Sequence, residues 1–125
     1  MFEDINKIKI SESARNKASL LKSRTGLTPN IIARFAFCHS LNVPGIPESA
    51  EYDSDGMEFN RYTITGSYDL IMMALLAQRL EEDGLSFENA KEQFRLHVCR
   101  GLELIFYRVK SLLDLHGLFE MEIKS

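Results

Sequence analysis

Polar and apolar residues alternate over residues 6–10, where Ile8 and Ile10 share one side. Successive side chains of a strand point to opposite faces, so Lys7 and Lys9 share the other side. The alternation therefore predicts a short strand with a buried aliphatic face and an exposed basic face.

Two short helices are predicted to follow this strand. Ser11 suits an N-cap because its hydroxyl can accept from the first helical turn, and Gly26 suits a helix end because it tolerates positive φ. Thr28-Pro29 opens the second helix, since a proline there has no hydrogen bond to lose, and Asn42-Val43-Pro44 ends it. The apolar positions at helical spacing are Ala14, Ala18 and Leu21, then Ile31, Ile32, Phe35, Ala36 and Cys38.

The middle of the chain is less regular. Val43 to Gly56 combines turn residues with acidic side chains, which predicts a solvated acidic loop. Residues 57–64 fit an extended segment, although their alternation is poor. A strong helix is predicted from Ser67 to Asp83, apolar nearly all round, as is typical of a central core helix or an oligomer interface.

The last apolar pattern begins after Ser86, a predicted N-cap, and we expect one helical region that Gly117 ends. Gly101 interrupts the pattern, so it either kinks the helix or lets another backbone approach. His97 and His116 lie near the apolar stripe and are interpreted as core or interface histidines. The recurring apolar positions are Phe94, Val98, Leu102, Ile105, Val109 and Leu112.

These elements predict an all-α, mainly helical fold in a single compact domain. The strand-helix-helix unit covers residues 5–42, a loop covers 43–66 and a helical core covers 67–117. A chain of 125 residues that is 45% hydrophobic can bury one ordinary core. No apolar run has the length of a membrane span and the N-terminus lacks a signal-peptide pattern, so a cytoplasmic protein with reduced Cys38 and Cys99 is expected.

The strand at 6–10 needs a partner, because an isolated strand leaves its backbone groups unpaired. No other segment of the sequence offers a convincing one. A strand followed by two short helices is the ribbon-helix-helix pattern, in which two chains pair their strands. The pattern therefore predicts at least a homodimer.

Positive charge is concentrated at one end of the chain. Up to Arg34, seven basic residues stand against three acidic ones, about +4, while the remainder carries about −7 and the whole −3. Such an asymmetry indicates a surface that faces a polyanion, and DNA is the first candidate.

Four blocks of residues carry a resemblance to a known family. They occur in the family's order between residue 10 and about residue 110, and their combination is specific although each alone is weak. The blocks are Lys22-Ser23-Arg24-Thr25-Gly26, Arg34-Phe35-Ala36-Phe37-Cys38 with Ser40-Leu41, Gln78-Arg79 with Glu82-Asp83-Gly84, and Glu92-Gln93-Phe94-Arg95-Leu96-His97 with Arg100-Gly101.

With these blocks the chain resembles the DndE family, the small subunit of bacterial DNA phosphorothioation systems. The resemblance implies a compact helical protein that forms a tetramer and binds DNA through lysines, with a preference for nicked duplex. It also implies other phosphorothioation proteins as partners. The sequence departs most from the family in the 43–60 loop and the C-terminal tail, so nothing functional is carried over there.

The first helix carries the predicted DNA contacts. On a helical wheel its apolar stripe is flanked by one basic margin on each side, around short and nearly neutral side chains. Lysines place a mobile point charge against phosphate, and such contacts position a protein without reading sequence. The candidates, in order, are Lys17 and Lys22, then Arg24 and Arg15, then the strand residues Lys7 and Lys9.

Sulfur transfer to a phosphate needs a sulfur carrier and phosphate activation, and the sequence shows motifs for neither. It has no nucleotide-binding glycine loop, no iron–sulfur spacing and no paired metal ligands, so no cofactor or metal is expected. We therefore expect a non-catalytic DNA-binding subunit. Two alternatives stay open: a ribbon-helix-helix repressor that reads bases with Lys7 and Lys9, and a nicking endonuclease with an acidic magnesium site.

Overall fold

The structure, a computed structural model, describes the backbone of residues 2–124 and the side chains of residues 2–118. Strand β1 (Lys7–Lys9) pairs antiparallel with strand β2 (Glu58–Asn60) of the same chain, with Ile8 opposite Phe59. Both of these apolar side chains are buried. The expectation that β1 lacks a partner within the chain was therefore wrong, and its pairing requires no second protomer.

The two helices after β1 begin and end as the sequence indicates. In α1 (Glu12–Thr25) the Ser11 hydroxyl accepts from the Ala14 amide at 3.1 Å, and Gly26 ends the helix with φ of 78°. In α2 (Pro29–Leu41) Thr28 is the N-cap and proline occupies the first turn. These helix ends depend on hydrogen bonds and backbone conformations of residues that are neighbours in sequence.

Helix α5 (Ala90–Arg108) packs directly against α2 through Gly101. A β-carbon on Gly101 would overlap the carbonyl group of Ala36, so glycine permits this close backbone approach. Beside it, Phe37 and Phe94 stack with ring centroids 5.0 Å apart. The second of the two roles predicted for Gly101 is thus confirmed, and α5 runs through it without a break.

The segment after β2 is helical rather than extended. Helix α3 (Arg61–Thr65) and a 3₁₀ turn lead into α4 (Asp69–Glu82). The guanidinium of the buried Arg61 bonds to both oxygens of the Asp69 carboxylate, at 2.9 and 2.8 Å, and donates to the Phe2 carbonyl at 2.7 Å. The Arg61 side chain therefore connects the N-terminal segment, α3 and α4. The spacing of apolar residues in the sequence could not indicate this connection.

Helix α4 is buried on one side only. Met72, Met73, Leu76 and Leu80 enter the core, whereas Leu70 is 86% exposed and Ile71 is 59% exposed. The all-round packing expected for this helix is thus absent within one protomer. We name the exposed residues Leu70, Ile71 and Leu75 the α4 stripe.

The last helical region divides into two helices. Helix α5 ends at Arg108 because Val109 is extended, and α6 (Leu112–Lys124) follows after a short turn. The prediction of one helix ending at Gly117 was wrong, since Gly117 lies inside α6. Across the described residues, none of the helices combines the length and the apolar character that crossing a membrane requires.

Candidate nucleic-acid interface

The outer margin of α1 presents cations with no internal partner. Arg15 and Lys22 are both exposed, and neither side chain makes a hydrogen bond or ion pair within the described part of the chain. Ser19 and Ser23, between and beside them, are also exposed and short. A phosphate could approach Lys22 past these short side chains, while Glu12, exposed in the first turn of α1, lies three residues before Arg15.

The inner margin of α1 lies against α5. Lys17 is half-buried, donates from Nζ to the Ser13 hydroxyl at 2.7 Å and lies 5.7 Å from the centroid of the Phe106 ring. On the same ring, the Arg24 guanidinium lies 4.4 Å from the centroid. Cations over an aromatic face are attracted by its quadrupole, so Phe106 holds both side chains in place.

Arg24 also closes the C-terminal end of α5. Its Nη1 donates to the carbonyl of Phe106 at 3.1 Å and to that of Val109 at 3.5 Å. A cation is stabilised at the C-terminus of a helix, where the last carbonyl groups lack internal partners. Arg24 therefore has a structural function, while its remaining donors make no hydrogen bond among the described residues.

A further lysine joins this group from outside the predicted set. Lys110 lies 5.7 Å from the Phe106 centroid, and with Lys17 and Arg24 it forms what we name the Phe106 cluster. Arg108 is exposed nearby in sequence. The sequence analysis missed both residues because it placed the DNA contacts only in the first third of the chain, where the net charge is positive. The spacing Arg108-Val109-Lys110 after a long helix was a usable signal.

Lys7 and Lys9 lie elsewhere, on the exposed face of the two-stranded sheet. The Lys7 ammonium is 3.9 Å from the Glu58 carboxylate, and Lys9 is in register with Glu58 across the ladder. They line a groove of about 800 Å³ that also contains several carboxylates. This mixed charge makes the sheet a weaker phosphate surface than α1. The acidic lining residues are Asp4, Glu58, Glu88 and Glu92.

Most arginines beyond α1 are internal to the fold. Arg95 donates to the carbonyls of Tyr52 and Asp53 at 3.0 and 2.9 Å and bonds to Glu92, so it fixes the acidic loop to α5. Asp53 in turn accepts from the Glu12 amide at 2.9 Å, and hydrogen bonds from backbone amides lower the pKa of that carboxyl. The acidic side chains of the loop predicted to be solvated are exposed, but Tyr52 is buried and the loop backbone is anchored.

The start of the same loop is held by two further arginines. Arg79 and Arg100 both donate to the carbonyls of Val43 and Gly45, at distances between 2.6 and 3.1 Å. Arg100 also donates to the Ser40 hydroxyl at 2.9 Å. These guanidinium groups organise the loop by donating to its backbone, and Arg79 is also ion-paired with Asp83 at 2.9 Å.

His97 completes this buried network as a core histidine. Its Nδ1 lies 2.8 Å from the Ser40 hydroxyl, and its Nε2 has no hydrogen-bond partner among the described residues. Burial, followed by the charges of Arg100 and Arg79, lowers the pKa of His97 to about 3. The ring is therefore neutral at physiological pH, and a cation is not available there for nucleic acid.

Cys99 does not have the surroundings of a reactive sulfur site. The Cys99 thiol is buried and accepts from the Ser11 amide at 3.4 Å, and burial raises its pKa. Cys38 is half-buried on α2. Within the described residues, no group of three or more His, Cys, Asp or Glu side chains could hold a metal ion.

Fold and surface together define a small, mainly helical protein with a cationic face on its first helix. A family model described as DNA sulphur modification protein DndE matches residues 7–112. Because this match covers most of the sequence, the chain belongs to the DndE family of DNA sulphur modification proteins. The predicted family resemblance is thereby confirmed. A comparison with curated proteins finds no match.

Crystal structures of DndE are among the solved structures that resemble the chain. The crystal structure of DndE from Escherichia coli B7A, involved in DNA phosphorothioation modification, is 26% identical with a TM-score of 0.63, covering 80% of this chain and 96% of that chain. A DndE mutant structure, involved in DNA phosphorothioation, is 23% identical with a TM-score of 0.64 and the same coverage, and shows similarity of fold alone.

Proposed function

We propose that the chain is a DNA-binding subunit of a DNA phosphorothioation system. It holds duplex DNA, with a preference for nicked duplex, while partner proteins carry out the sulfur and nucleotide chemistry. The observation that carries this proposal is the outer margin of α1, where Arg15 and Lys22 are exposed and uncommitted in a chain whose other arginines mostly serve the fold.

Lys17 and Lys22 are the first proposed phosphate contacts, and Arg15 is the next. Arg24 contributes its unused donors and orients Phe106, and Lys7 and Lys9 extend the surface less strongly because carboxylates surround them. Phosphate contacts fix the position of a protein on DNA without selecting a sequence. The proposed subunit therefore binds operator and random sequences with similar affinity.

A symmetric oligomer would place several such surfaces around one duplex. We propose that the exposed stripe of α4, with Leu70 and Ile71 at its centre, is buried between protomers of a homo-oligomer, a tetramer according to the family resemblance. Tyr68, 55% exposed, extends the stripe at the start of the helix. Burying such a surface is favourable in proportion to the apolar area removed from water.

A nick provides a flexible joint in the duplex, and a symmetric oligomer can contact both flanks of that joint.

The alternative function, a ribbon-helix-helix repressor, loses the feature that suggested it, because β1 takes its partner from the same chain. Discrimination between an operator and random DNA by more than about tenfold would favour a repressor over the present proposal.

The direct test compares two lysines on nicked duplex. Lys22→Ala should weaken binding several-fold, because Lys22 is exposed and uncommitted on α1. Lys91→Ala is the matched control: Lys91 is also an exposed helical lysine, but it lies in the groove with Glu88 and Glu92. Equal effects of the two substitutions, or equal affinity for intact and nicked duplex, would contradict the proposed surface or the proposed preference, respectively.

A further inference from the structure

The C-terminal end of α5 carries two adjacent aromatic rings with different environments. Phe106 is half-buried under the cations of the Phe106 cluster, whereas Tyr107 is 68% exposed. Their rings meet edge to face, with centroids 5.2 Å apart and an interplanar angle of 87°. Phe106 therefore supports Tyr107 from the side, and one ring of an oriented aromatic pair remains open to solvent.

These rings form one wall of a groove whose other wall is α1. The groove has a volume of about 580 Å³, and α1 contributes the side chains of Ser13, Asn16 and Leu20 to it. Leu20 is 49% exposed, so apolar surface faces the aromatic wall across the groove. The hydroxyl and amide groups of the same helix supply hydrogen-bond donors and acceptors.

The charges around the groove indicate which part of DNA it suits. The carboxylates of Glu12 and Asp53 also line it, and they would repel a phosphate placed inside. Lys17 lies in the lining and Lys110 shares its aromatic neighbour Phe106, so phosphates are attracted to the rim. Flat aromatic surface, amide groups and acceptors for amino groups together suit an uncharged nucleobase.

We infer that this groove receives a nucleobase unstacked at a nick or gap, with Tyr107 as the stacking ring. The inference rests on the proposed function, since it names the contact by which nicked duplex is preferred. In the interior of an intact duplex every base is enclosed by two stacked neighbours, whereas a base beside a nick can leave the stack at lower cost. Base–aromatic stacking accepts any base, so this contact requires no sequence specificity.

The test uses three duplexes of one sequence: intact, nicked and with a one-nucleotide gap. Tyr107→Ala should weaken binding to nicked and gapped duplex by about tenfold, which is within the range of stacking losses on alanine substitution. The affinity for intact duplex should change by less than about twofold. Tyr107→Phe keeps the ring and should bind as wild type. Tyr62→Ala, at a tyrosine 54% exposed on α3 outside the groove, is the matched control and should change nothing.

A second measurement reports stacking itself. A 2-aminopurine placed at the strand end of the nick should lose fluorescence when wild type or Tyr107→Phe binds at saturation, and retain it with Tyr107→Ala. Equal weakening of intact and nicked duplex by Tyr107→Ala, or unchanged affinity and quenching, would overturn the inference. If wild type binds none of the duplexes, the proposed function fails as well. A Lys22→Ala effect without a Tyr107→Ala effect removes only the inference.

Discussion

The α-carbon of Gly101 on α5 faces the carbonyl group of Ala36 on α2 with no room for a β-carbon between them. This contact sets the spacing of the two helices that contain Phe37 and Phe94 in the core. Since Arg100 and His97 project from the same helix, the contact also positions the network that holds the loop after α2.

Gly101→Ala is therefore expected to lower the free energy of unfolding by about 3 kcal/mol, because overpacking a backbone contact forces the helices apart. Urea unfolding monitored by circular dichroism measures the change. Gly117→Ala is the matched control on α6, where a β-carbon would meet nothing within 4 Å. It should stabilise slightly, by up to about 1 kcal/mol, because alanine has the higher helix propensity. Equal effects of the two substitutions would contradict the assigned contact.

Arg24 and Arg15 both lie on α1, but we expect their substitution by alanine to change the free energy of unfolding by different amounts. Arg24→Ala removes charged hydrogen bonds to the carbonyls of Phe106 and Val109, so the free energy of unfolding should fall by about 1–3 kcal/mol. Arg15→Ala, which breaks no contact among the described residues, should stay within about 0.5 kcal/mol. Thermal unfolding distinguishes them. If Arg15→Ala lowers stability as much as Arg24→Ala does, the prediction is contradicted, because Arg15 then makes a stabilising contact that the structure does not show.

His97 predicts how stability depends on pH. In the unfolded chain its pKa is near 6.5, whereas burial lowers the folded pKa to about 3, so unfolding takes up a proton between these values. Stability should be fully present above pH 6.5 and fall as the pH decreases, by about 2 kcal/mol at pH 5 from this group. His97→Gln should flatten this dependence between pH 7 and 5. If wild type and His97→Gln lose the same stability between pH 7 and 5, His97 is protonated in the folded protein in this range, and its lowered pKa is contradicted.

The α4 stripe predicts assembly. Leu70→Glu places a charge in the proposed interface and should reduce the mass measured by light scattering to that of a smaller species. Leu113→Glu, at a leucine 78% exposed on α6, is the exposure-matched comparison and should retain the wild-type mass. Dissociation by Leu113→Glu and not by Leu70→Glu would move the interface to α6. A wild-type monomer would refute the oligomer.

Local signals in the sequence predict the first part of the fold well. Ser11 and Gly26 determine the ends of α1 by hydrogen bonding and positive φ, both of which depend only on neighbouring residues. The choice left open at Gly101 required the structure, because spacing alone does not show which backbone lies opposite. The division between α5 and α6 was missed because Val109 and Leu112 continue the apolar spacing across the break.

The partner of β1 could not be predicted from periodicity. Strand β2 contains a single buried apolar residue, Phe59, and it is followed by a helix that an arginine–carboxylate pair holds in place. A count of charge likewise cannot distinguish an exposed cation from a committed one. Lys22 and Arg24 are two residues apart, yet one faces solvent and the other closes a helix end.

The central claim, that cations of α1 hold the phosphate backbone, is tested most directly by the salt dependence of nicked-duplex affinity. For wild type, the logarithm of affinity should fall with the logarithm of salt concentration at a slope of roughly −4 to −5, as expected when about four to six phosphates are neutralised. Lys17→Ala combined with Lys22→Ala should weaken binding and bring the slope about 2 closer to zero, at unchanged mass. An affinity independent of salt, or a double variant with the wild-type slope, would contradict the account.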